Sequence, residues 1–453
     1  MKLTVNSNNI LRKWPRMEAY QNSTLRYTPP KDFPAFCATK IGAPKIIRTW
    51  VTLDEVWDYR TDTYNWDYDI GVNNYVEDKN HYMYDWHITV PLGQKFIEYL
   101  HSYCEPTEEV MFNIRRFERE VADGLMTIEK YEEVVYNVIE YYKNIEPKIC
   151  YIECSNEVEL TSFGGITIDE YYPLYQATYR ACRRLNAKYN YDIPLKVGGF
   201  GMSGGVARLN NIWYQFLQKL ASDTDPDKMI DFYSMHSYAP TYWRVFEFAV
   251  KHKNIVKRLG LPDVPLFVDE FGTNRTTGVL EDSLKNASGN LAGMILASQL
   301  ENTYIFPWCT FHNPKLQMSF TQFLDLGDGK YASTPNGNAM MALHWLAENE
   351  VEIWEYAESK AVACADDEKV TMIVTNPTDE PLEVDITING LTGYKAKVTR
   401  YLCDANINNC VTGEPCEEYA PTFESWMRVD GSGALNMKFT IGARAFIFIR
   451  VDR

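Results

Sequence analysis

Between about residue 30 and residue 347, short runs rich in β-branched and aromatic residues alternate with longer amphipathic stretches. Such alternation is typical of successive strand and helix units that build a parallel sheet. Seven strands are predicted, at Ile46–Val51, Val110–Ile114, Ile149–Cys154, Leu195–Gly199, Phe232–His236, Leu266–Glu270 and Thr303–Trp308. The predicted helices are Thr127–Tyr142, Tyr171–Tyr189, Leu209–Leu220, Trp243–Leu259, Ser283–Leu300 and Asn338–Ala347.

An eighth strand would close this sheet into a barrel, and the segment from Asn9 to Tyr27 is the place left for it, with Trp14–Tyr20 as the candidate. The alternative is an open, doubly wound sheet, which would carry a Gly-rich phosphate loop after a strand. The nearest sequence, Gly198-Gly199-Phe200-Gly201, lacks the GxGxxG spacing. We therefore predict an α/β fold in which residues 10–347 form a (β/α)8 TIM barrel.

After residue 347 the pattern changes to short strands separated by turn signals such as Asn389-Gly390. These strands are predicted at Val370–Asn376, Leu382–Ile388, Lys395–Tyr401, Met437–Ile441 and Ala445–Val451. We interpret residues 348–453 as an antiparallel β-sandwich. Residues 1–9, with a polar strand at Lys2–Val5, are expected to join it because the termini of a domain often lie close together.

Charge and segment composition exclude several classes of partner. Acidic residues outnumber basic ones by 61 to 45, which gives a net charge of −16 and disfavours nucleic-acid binding. No uninterrupted apolar run is long enough to span a membrane, and the first residues lack the apolar region of a signal peptide. We predict a cytoplasmic location, with an N-terminal leader already removed as the alternative. The scattered cysteines are interpreted as buried thiols; one disulfide among Cys403, Cys410 and Cys416 is the other possibility.

Aromatic residues make up 14% of the chain, and at least nine Tyr and Trp side chains fall between Asp54 and Trp86. Tyr and Trp combine an apolar face with a polar tip, which suits surfaces that bind sugar rings. A large aromatic core is the simpler explanation of the overall composition. Because this segment follows the second strand, we expect part of it to line a cleft on the active-site face.

In a TIM barrel the working residues lie at the carboxyl ends of the strands. Two glutamates occupy such positions, Glu157 after the fourth strand and Glu270 at the end of the seventh. Alternation along the strand predicts that Asp269 points away from the pocket. The candidate substrate-binding residues at other strand ends are Arg48, Trp50, Asn156, His236, Tyr238, Trp308 and Phe311.

Two carboxyl groups that face each other across a cleft are the machinery of glycoside hydrolysis. One carboxyl holds a proton for the leaving oxygen, and the other stays ionised and attacks the anomeric carbon. Retention of configuration requires the two groups to lie about 5 Å apart. A lone glutamate at a strand end is more often a helix cap or an ion-pair partner, so the pair carries the hypothesis.

The sequence Ser155-Asn156-Glu157 after an apolar strand resembles the Asn-Glu motif of clan A glycoside hydrolases, which are retaining (β/α)8 enzymes. Val268–Gly272 resembles their nucleophile strand, and Asp231–Tyr238 is similar to the sixth strand of glycoside hydrolase family 39, the β-xylosidase and α-L-iduronidase family. The turn Phe323–Lys330, followed by Pro335 and Ala339, is similar to that family's turn into the eighth helix. A β-sandwich after the barrel also fits this family.

The resemblance implies a role for each matching residue. Glu157 is expected to be the general acid/base, Glu270 the nucleophile and Asn156 a hydrogen-bond partner of the 2-hydroxyl of the cleaved sugar. Tyr238 and His236 would orient Glu270 or bind sugar hydroxyls, and Trp308 would form a stacking floor. Arg48 would lie close enough to Glu270 to lower the pKa of that carboxyl.

The chain departs from the family motif in having Ser155 before Asn156 and Val158 after Glu157, where the family usually has Trp and Pro. These departures leave the mechanism intact and put the sugar specificity in doubt. His312 and Asn313, after the eighth strand, are further candidates for substrate contact.

Other chemistries find less support in the sequence. No metal-binding or nucleotide-binding motif is present, so no cofactor and no metal are predicted. Gly201-Met202-Ser203-Gly204-Gly205 approaches the GxSxG motif of serine hydrolases, but Gly198-Gly199 already ends its strand. We therefore predict a retaining glycoside hydrolase that acts on an oligo- or polysaccharide. The alternatives are a transglycosylase that uses the same carboxyl pair and a non-catalytic carbohydrate-binding protein.

Overall fold

The computed structural model describes residues 1–23, 31–70, 94–204, 209–273, 279–308, 318–354, 360–411 and 419–453. The strands in these ranges are β1 Lys2–Lys13, β2 Tyr20–Asn22, β3 Ile46–Thr52, β4 Trp57–Asp58, β5 Thr63–Tyr64, β6 Glu109–Arg115, β7 Ile149–Cys154, β8 Lys196–Met202, β9 Phe232–Tyr238, β10 Leu266–Gly272, β11 Thr303–Pro307, β12 Phe323–Gly327, β13 Lys330–Ser333, β14 Asn349–Trp354, β15 Ala361–Ala365, β16 Lys369–Thr375, β17 Leu382–Asn389, β18 Lys395–Cys403, β19 Phe423–Arg428, β20 Leu435–Ile441 and β21 Phe446–Asp452. The α-helices are α1 Phe33–Ile41, α2 Leu53–Val56, α3 Phe96–Cys104, α4 Glu118–Ala122, α5 Ile128–Ile145, α6 Ile168–Tyr189, α7 Tyr214–Ser222, α8 Arg244–Leu259, α9 Ser283–Ala297 and α10 Pro335–His344. A π-helical turn, Leu209–Trp213, leads into α7.

Eight parallel strands form the barrel sheet, in the order β2, β3, β6, β7, β8, β9, β10 and β11. The first and last strands approach each other, and the side-chain amide of Asn22 donates to the Pro307 carbonyl at 3.2 Å. This nearly closed sheet confirms the predicted (β/α)8 fold.

The strand that completes the set of eight is β2, the first barrel strand in the chain. Its predicted position at Trp14–Tyr20 was therefore wrong. Met17–Ala19 instead form a 3-10 turn, and the backbone N–H of Trp14 donates to the Glu348 carbonyl at 2.8 Å. The true strand is only three residues long and polar at two of them, which leaves little periodicity to detect.

The helices pack on the outside of the barrel through one apolar face each. In α5 the apolar positions recur at helical spacing, and Tyr131, Val134 and Val138 are fully buried. Burying a side chain of this size stabilises the fold by about 1.5–3 kcal/mol. The hydroxyl of Thr127 caps this helix by accepting from the backbone N–H of Lys130.

Nine of the other strands form a second sheet with its own core, while β4 with β5 and β12 with β13 form two small antiparallel pairs. The strands of the second sheet run in the order β19, β18, β21, β16, β15, β14, β1, β17 and β20. Strand β1 pairs parallel with β17 and antiparallel with β14, so the sheet is mixed. One apolar cluster joins side chains of β1 with those of strands near both ends of the order, so the sheet encloses its core as a sandwich does.

The sandwich packs directly against the barrel. The hydroxyl of Thr375 in β16 donates to the Ser288 carbonyl in α9 at 2.9 Å. In addition, Trp345 after α10 stacks on Tyr419 with ring centroids 5.4 Å apart. Across the described ranges, no helix is both long and apolar enough to cross a membrane.

The aromatic segment after β3 packs largely against helices. Trp66 lies between Tyr64 and Tyr141 of α5, with ring centroids 4.5 Å and 4.2 Å away. Trp57 and Tyr68 are buried. These four members therefore pack in or against the core, whereas Tyr59 is 46% exposed. Tyr75, Tyr82, Tyr84 and Trp86 lie outside the described residues, and the cleft lining stays a prediction for this segment.

Seven of the described cysteines are buried, namely Cys37, Cys104, Cys150, Cys154, Cys182, Cys364 and Cys403. Cys416, a member of the possible disulfide cluster, lies outside the described residues.

Candidate active site

Glu157 and Glu270 meet at the carboxyl ends of the barrel strands, and the His236 imidazole lies between them. One carboxylate oxygen of each glutamate and one ring nitrogen of His236 all lie within 4.8 Å of one another. Nδ1 of His236 is 2.8 Å from Oε1 of Glu157 and 3.4 Å from Oε2 of Glu270. The separation of the carboxyl groups therefore agrees with the value of about 5 Å expected for retention.

Glu270 is held by donors at both of its oxygens. Nη1 of Arg48 lies 3.0 Å from Oε1, and the Tyr238 hydroxyl donates to Oε2 at 2.9 Å. Charged donors such as guanidinium form the stronger hydrogen bonds to carboxylates. These contacts fix the Glu270 carboxyl group and favour its ionised form.

Arg48 is fully buried and connects several strand ends. Its Nη2 donates to Oδ1 of Asn156 at 2.9 Å, and its Nε donates to Oε2 of Glu153 at 2.7 Å. The guanidinium also lies over the Trp50 ring, 4.1 Å from the centroid. Stacking on an aromatic face suits the planar guanidinium and orients it toward the carboxyl groups.

Asp269 does not point away from the pocket, contrary to the sequence expectation. The register between β9 and β10 shifts between Val268 and Glu270, so Asp269 is an extra residue that opposes no residue of β9. Such a bulge interrupts the alternation of side chains. As a result, the side chains of Asp269 and Glu270 both reach Arg48, with Oδ2 of Asp269 3.2 Å from Nε.

Burial governs the protonation of this cluster. Removal from solvent raises the pKa of Glu270, and the attractions of His236 and Arg48 only partly offset that rise. Arg48 thus lowers the pKa of Glu270, as predicted, but by less than burial raises it. Burial also lowers the pKa of His236, which favours the neutral imidazole.

The backbone around Glu157 adopts unusual conformations. Ser155 and Glu157 have φ values of 66° and 47°, in the left-handed region that non-glycine residues seldom occupy. The backbone N–H of Glu157 donates to the carbonyl of Gly201 at 3.0 Å. A residue with a side chain would be strained at position 201, because φ is +53° and its Cβ atom would lie 3.0 Å from Glu153 and 3.2 Å from His236.

The two predicted tryptophans of the site, Trp50 and Trp308, differ in burial and in the groups that they contact. Trp50 is buried under Arg48 and meets half-buried Trp308 edge to face, with ring centroids 6.1 Å apart. A second guanidinium, that of Arg115, lies 4.8 Å from the Trp50 centroid. Trp50 therefore supports the cations, whereas Trp308 retains exposed area near the mouth of the barrel. Phe311, His312 and Asn313 lie outside the described residues.

Two glutamates and a histidine are also a donor set that can ligate a divalent metal. In this cluster a guanidinium and a phenol already donate to the two oxygens of Glu270. A cation at that carboxyl would compete with the positive charge of Arg48. The donor set therefore suits an acid and a nucleophile better than a metal centre.

Solved structures of glycosidases superpose on the whole chain. A glucosidase from Croceicoccus marinus matches with a TM-score of 0.69 and 15% identity, over 100% of this chain and 99% of that one. A GH39 enzyme from Xanthomonas axonopodis pv. citri matches with a TM-score of 0.71 and 14% identity, over 100% and 97%. A monomeric β-xylosidase from Caulobacter crescentus CB15 gives 0.70 and 13%, over 100% and 99%. The chain has their fold. No family model matches the sequence, and no curated protein matches it.

Sequence reasoning missed two members of the site, Glu153 and Asp269. A signal for the first was present, because Glu153 is the one charged residue in the otherwise apolar strand Ile149–Cys154. A buried charge in such a strand requires a partner, and that partner is Arg48.

Proposed function

We propose that this protein is a retaining glycoside hydrolase that cleaves an oligo- or polysaccharide by double displacement. Glu157 is the general acid/base and Glu270 is the nucleophile. The observation that carries this proposal is the separation of their carboxylate oxygens, within 4.8 Å at the mouth of a parallel barrel. The shared fold with glycosidases supports the same reaction class.

The nucleophile must be ionised when it attacks the anomeric carbon. Arg48 and Tyr238 donate to the two Glu270 oxygens and hold the carboxylate in one orientation. Such positioning lowers the barrier because little reorganisation is needed in the transition state. Attack forms a covalent bond between Glu270 and the sugar as the glycosidic bond breaks.

Glu157 would first donate a proton to the leaving oxygen and then remove one from water. With its proton on Nδ1, neutral His236 donates to Glu157 and orients that carboxyl group. After the first step the proton is lost from Glu157, and the resulting carboxylate activates the water that releases the sugar. The configuration at the anomeric carbon is retained because it is inverted twice.

Asn156 and Trp308 are the proposed substrate contacts. Arg48 donates to the Asn156 amide oxygen, which leaves the amide NH2 group to bind a sugar hydroxyl. Trp308, at the end of the barrel sheet, would stack on a sugar ring. One of the solved structures with this fold is a β-xylosidase, so pentosides belong in the first substrate panel.

The test is hydrolysis of a panel of aryl glycosides, including pentosides and uronides, by the wild type and by Glu270→Gln and Glu157→Gln. Loss of the nucleophile should reduce kcat by roughly a thousandfold or more. Glu159→Gln is the matched control, since Glu159 is also largely buried, lies two residues from Glu157 and accepts from the backbone of Ser203.

Equal rates in the wild type and Glu270→Gln would refute the assignment of the nucleophile. A transglycosylase would instead give products with added acceptor sugars at the expense of hydrolysis. Sugar binding without turnover by the wild type would indicate a binding protein.

A further inference from the structure

One buried cation faces three carboxyl groups at the centre of the barrel. Arg48 lies 2.7 Å from Glu153, 3.2 Å from Asp269 and 3.0 Å from Glu270, and the side chains of Arg48, Glu153 and Asp269 are fully buried. Three buried negative charges around one positive charge would be strongly unfavourable in a site of low dielectric constant. At least one of the three acids should therefore hold a proton.

The hydrogen bonds identify which acid that is. Glu270 accepts from Arg48 and Tyr238, and Oε2 of Glu153 accepts from Arg48 and, at 2.6 Å, from the Asn113 amide. Both oxygens of Asp269, by contrast, accept no hydrogen bond from any residue in the described ranges, and Oε1 of Glu153 accepts none either. Buried acceptors without a donor are rare in folded proteins.

A proton on Asp269 would supply the hydrogen-bond donor that these buried carboxylate oxygens lack. Asp269 and Glu153 approach the same Arg48 nitrogen, with Oδ2 of Asp269 3.2 Å and Oε2 of Glu153 2.7 Å from Nε. A protonated Asp269 is a donor, and the Glu153 carboxylate beside it is an acceptor. Among the described residues, His236, whose Nε2 is 3.8 Å from Oδ1, and the adjacent Glu270 are further ionisable neighbours of Asp269.

We propose that Asp269 is a positioning residue that keeps its proton at neutral pH and donates it in a hydrogen bond to the Glu153 carboxylate. In this arrangement Glu153 and Glu270 are the two anions that share Arg48. Asp269 then acts through Arg48 and Glu153 and does not touch the substrate. Its effect on catalysis rests on the proposed function, whereas its protonation does not.

The electrostatic environment supports this assignment. Burial raises the pKa of Asp269 well above its ordinary range, and the negative charge of Glu153 raises it further. Burial would also raise the pKa of Glu153, but the charge of Arg48 lowers it overall. These opposite directions agree with a proton on Asp269 and an ionised Glu153.

The neutral state of Asp269 matters for Glu270. An ionised Asp269 would compete for Arg48 and place a like charge next to the nucleophile, which would raise the pKa of Glu270. A protonated Asp269 leaves more of the Arg48 charge to act on Glu270. The bulge in β10 makes this possible, because it turns both neighbouring side chains toward one guanidinium.

The direct test is infrared spectroscopy of the wild type and Asp269→Asn at neutral pH, with protein labelled with 13C at aspartate carboxyl groups. We expect a carboxylic acid C=O band in the wild type that shifts with the label and is missing from Asp269→Asn. Asp231, whose pKa burial also raises, requires Asp231→Asn as the matched control, which should keep the band. Absence of a label-sensitive band that depends on Asp269 would overturn the proposal, whatever reaction the protein catalyses.

The second test is rescue of hydrolysis by an uncharged donor. Asp269→Ala should lower kcat/KM by about tenfold or more, because Glu153 loses the donor that Asp269 provides, and Asp269→Asn or Asp269→Thr should restore most of that loss. In Asp269→Asn the acidic limb of the pH profile of kcat/KM should not move to lower pH, since the substitution removes no negative charge. A shift of this limb to lower pH by about one unit or more would show that Asp269 is ionised in the wild type and would overturn the proposal. Should Asp269→Asn fail to fold, Asp269→Thr provides both comparisons.

Discussion

Nη1 of Arg48 lies 3.0 Å from Oε1 of Glu270, yet the pKa of Glu270 is raised because burial outweighs the attraction of His236 and Arg48. As the pH falls, activity that requires ionised Glu270 should therefore be lost at a higher pH than it would be if this glutamate had its ordinary pKa. Replacing Arg48 by Gln removes an attraction that lowers this pKa, so the acidic limb of kcat/KM should move to still higher pH. Profiles of the wild type and Arg48→Gln test this, and a limb that stays in place or moves to lower pH would contradict it.

Tyr238→Phe removes the donor to the second oxygen of Glu270. We expect kcat/KM to fall by about tenfold and the acidic limb of its pH profile to move to higher pH. The free energy of unfolding should fall by roughly 1 kcal/mol. Tyr233→Phe is the matched control, since Tyr233 lies in the same strand and its hydroxyl donates to Pro262 away from the carboxyl pair. If both variants changed stability alone, Tyr238 would have no role in orienting the nucleophile.

Gly201→Ala tests the tight packing beneath the carboxyl pair. The added Cβ would meet Glu153 at 3.0 Å and His236 at 3.2 Å, on a backbone with φ of +53°. We expect a loss of about 1–3 kcal/mol in the free energy of unfolding together with reduced kcat. Gly260→Ala isolates the backbone effect, because Gly260 has φ of +67° and no atom within 4 Å of its Cβ position. Equal destabilisation and full activity in both variants would show that the contacts at Gly201 have no effect.

His252 should make stability depend on pH through a group outside the active site. Burial lowers the pKa of His252 from 6.5 to about 3, and Trp213 donates to its Nδ1 at 3.0 Å. Between those pH values the unfolded chain binds a proton that the folded chain does not. The free energy of unfolding should therefore fall as the pH drops from 6.5 toward about 3, and the slope should be smaller in His252→Asn. Denaturant titrations at several pH values measure this, and identical slopes would exclude His252 as the cause.

The sequence predicted the regular part of the barrel closely because apolar periodicity defines it. Strand Ile149–Cys154 has its predicted bounds, and helix α6 extends the predicted Tyr171–Tyr189 by only three residues at its start. Strand β15, Ala361–Ala365, was missed because alanine and cysteine carry little strand preference. The strand β2 was misplaced because three residues are too few to show a periodic pattern of apolar side chains.

Much of the site was predictable from residues at strand ends. Glu157 and Glu270 follow from their places there, and so do their partners, since the structure brings Arg48 and Tyr238 to Glu270 and His236 to Glu157. The orientation of Asp269 depends on a bulge, which arises from the pairing of two strands that are distant in sequence. No local sequence pattern indicates such a register shift, so the placement of Asp269 beside Glu153 could be found only in the folded chain.

The stereochemistry of the first product tests the central claim most directly. Carboxylate oxygens of Glu157 and Glu270 within 4.8 Å leave no room for a water molecule on the far side of the sugar, as an inverting enzyme requires. Proton NMR of an aryl glycoside during hydrolysis should therefore show that the first sugar released has the anomeric configuration of the substrate. Release of the opposite anomer first would contradict the double-displacement account.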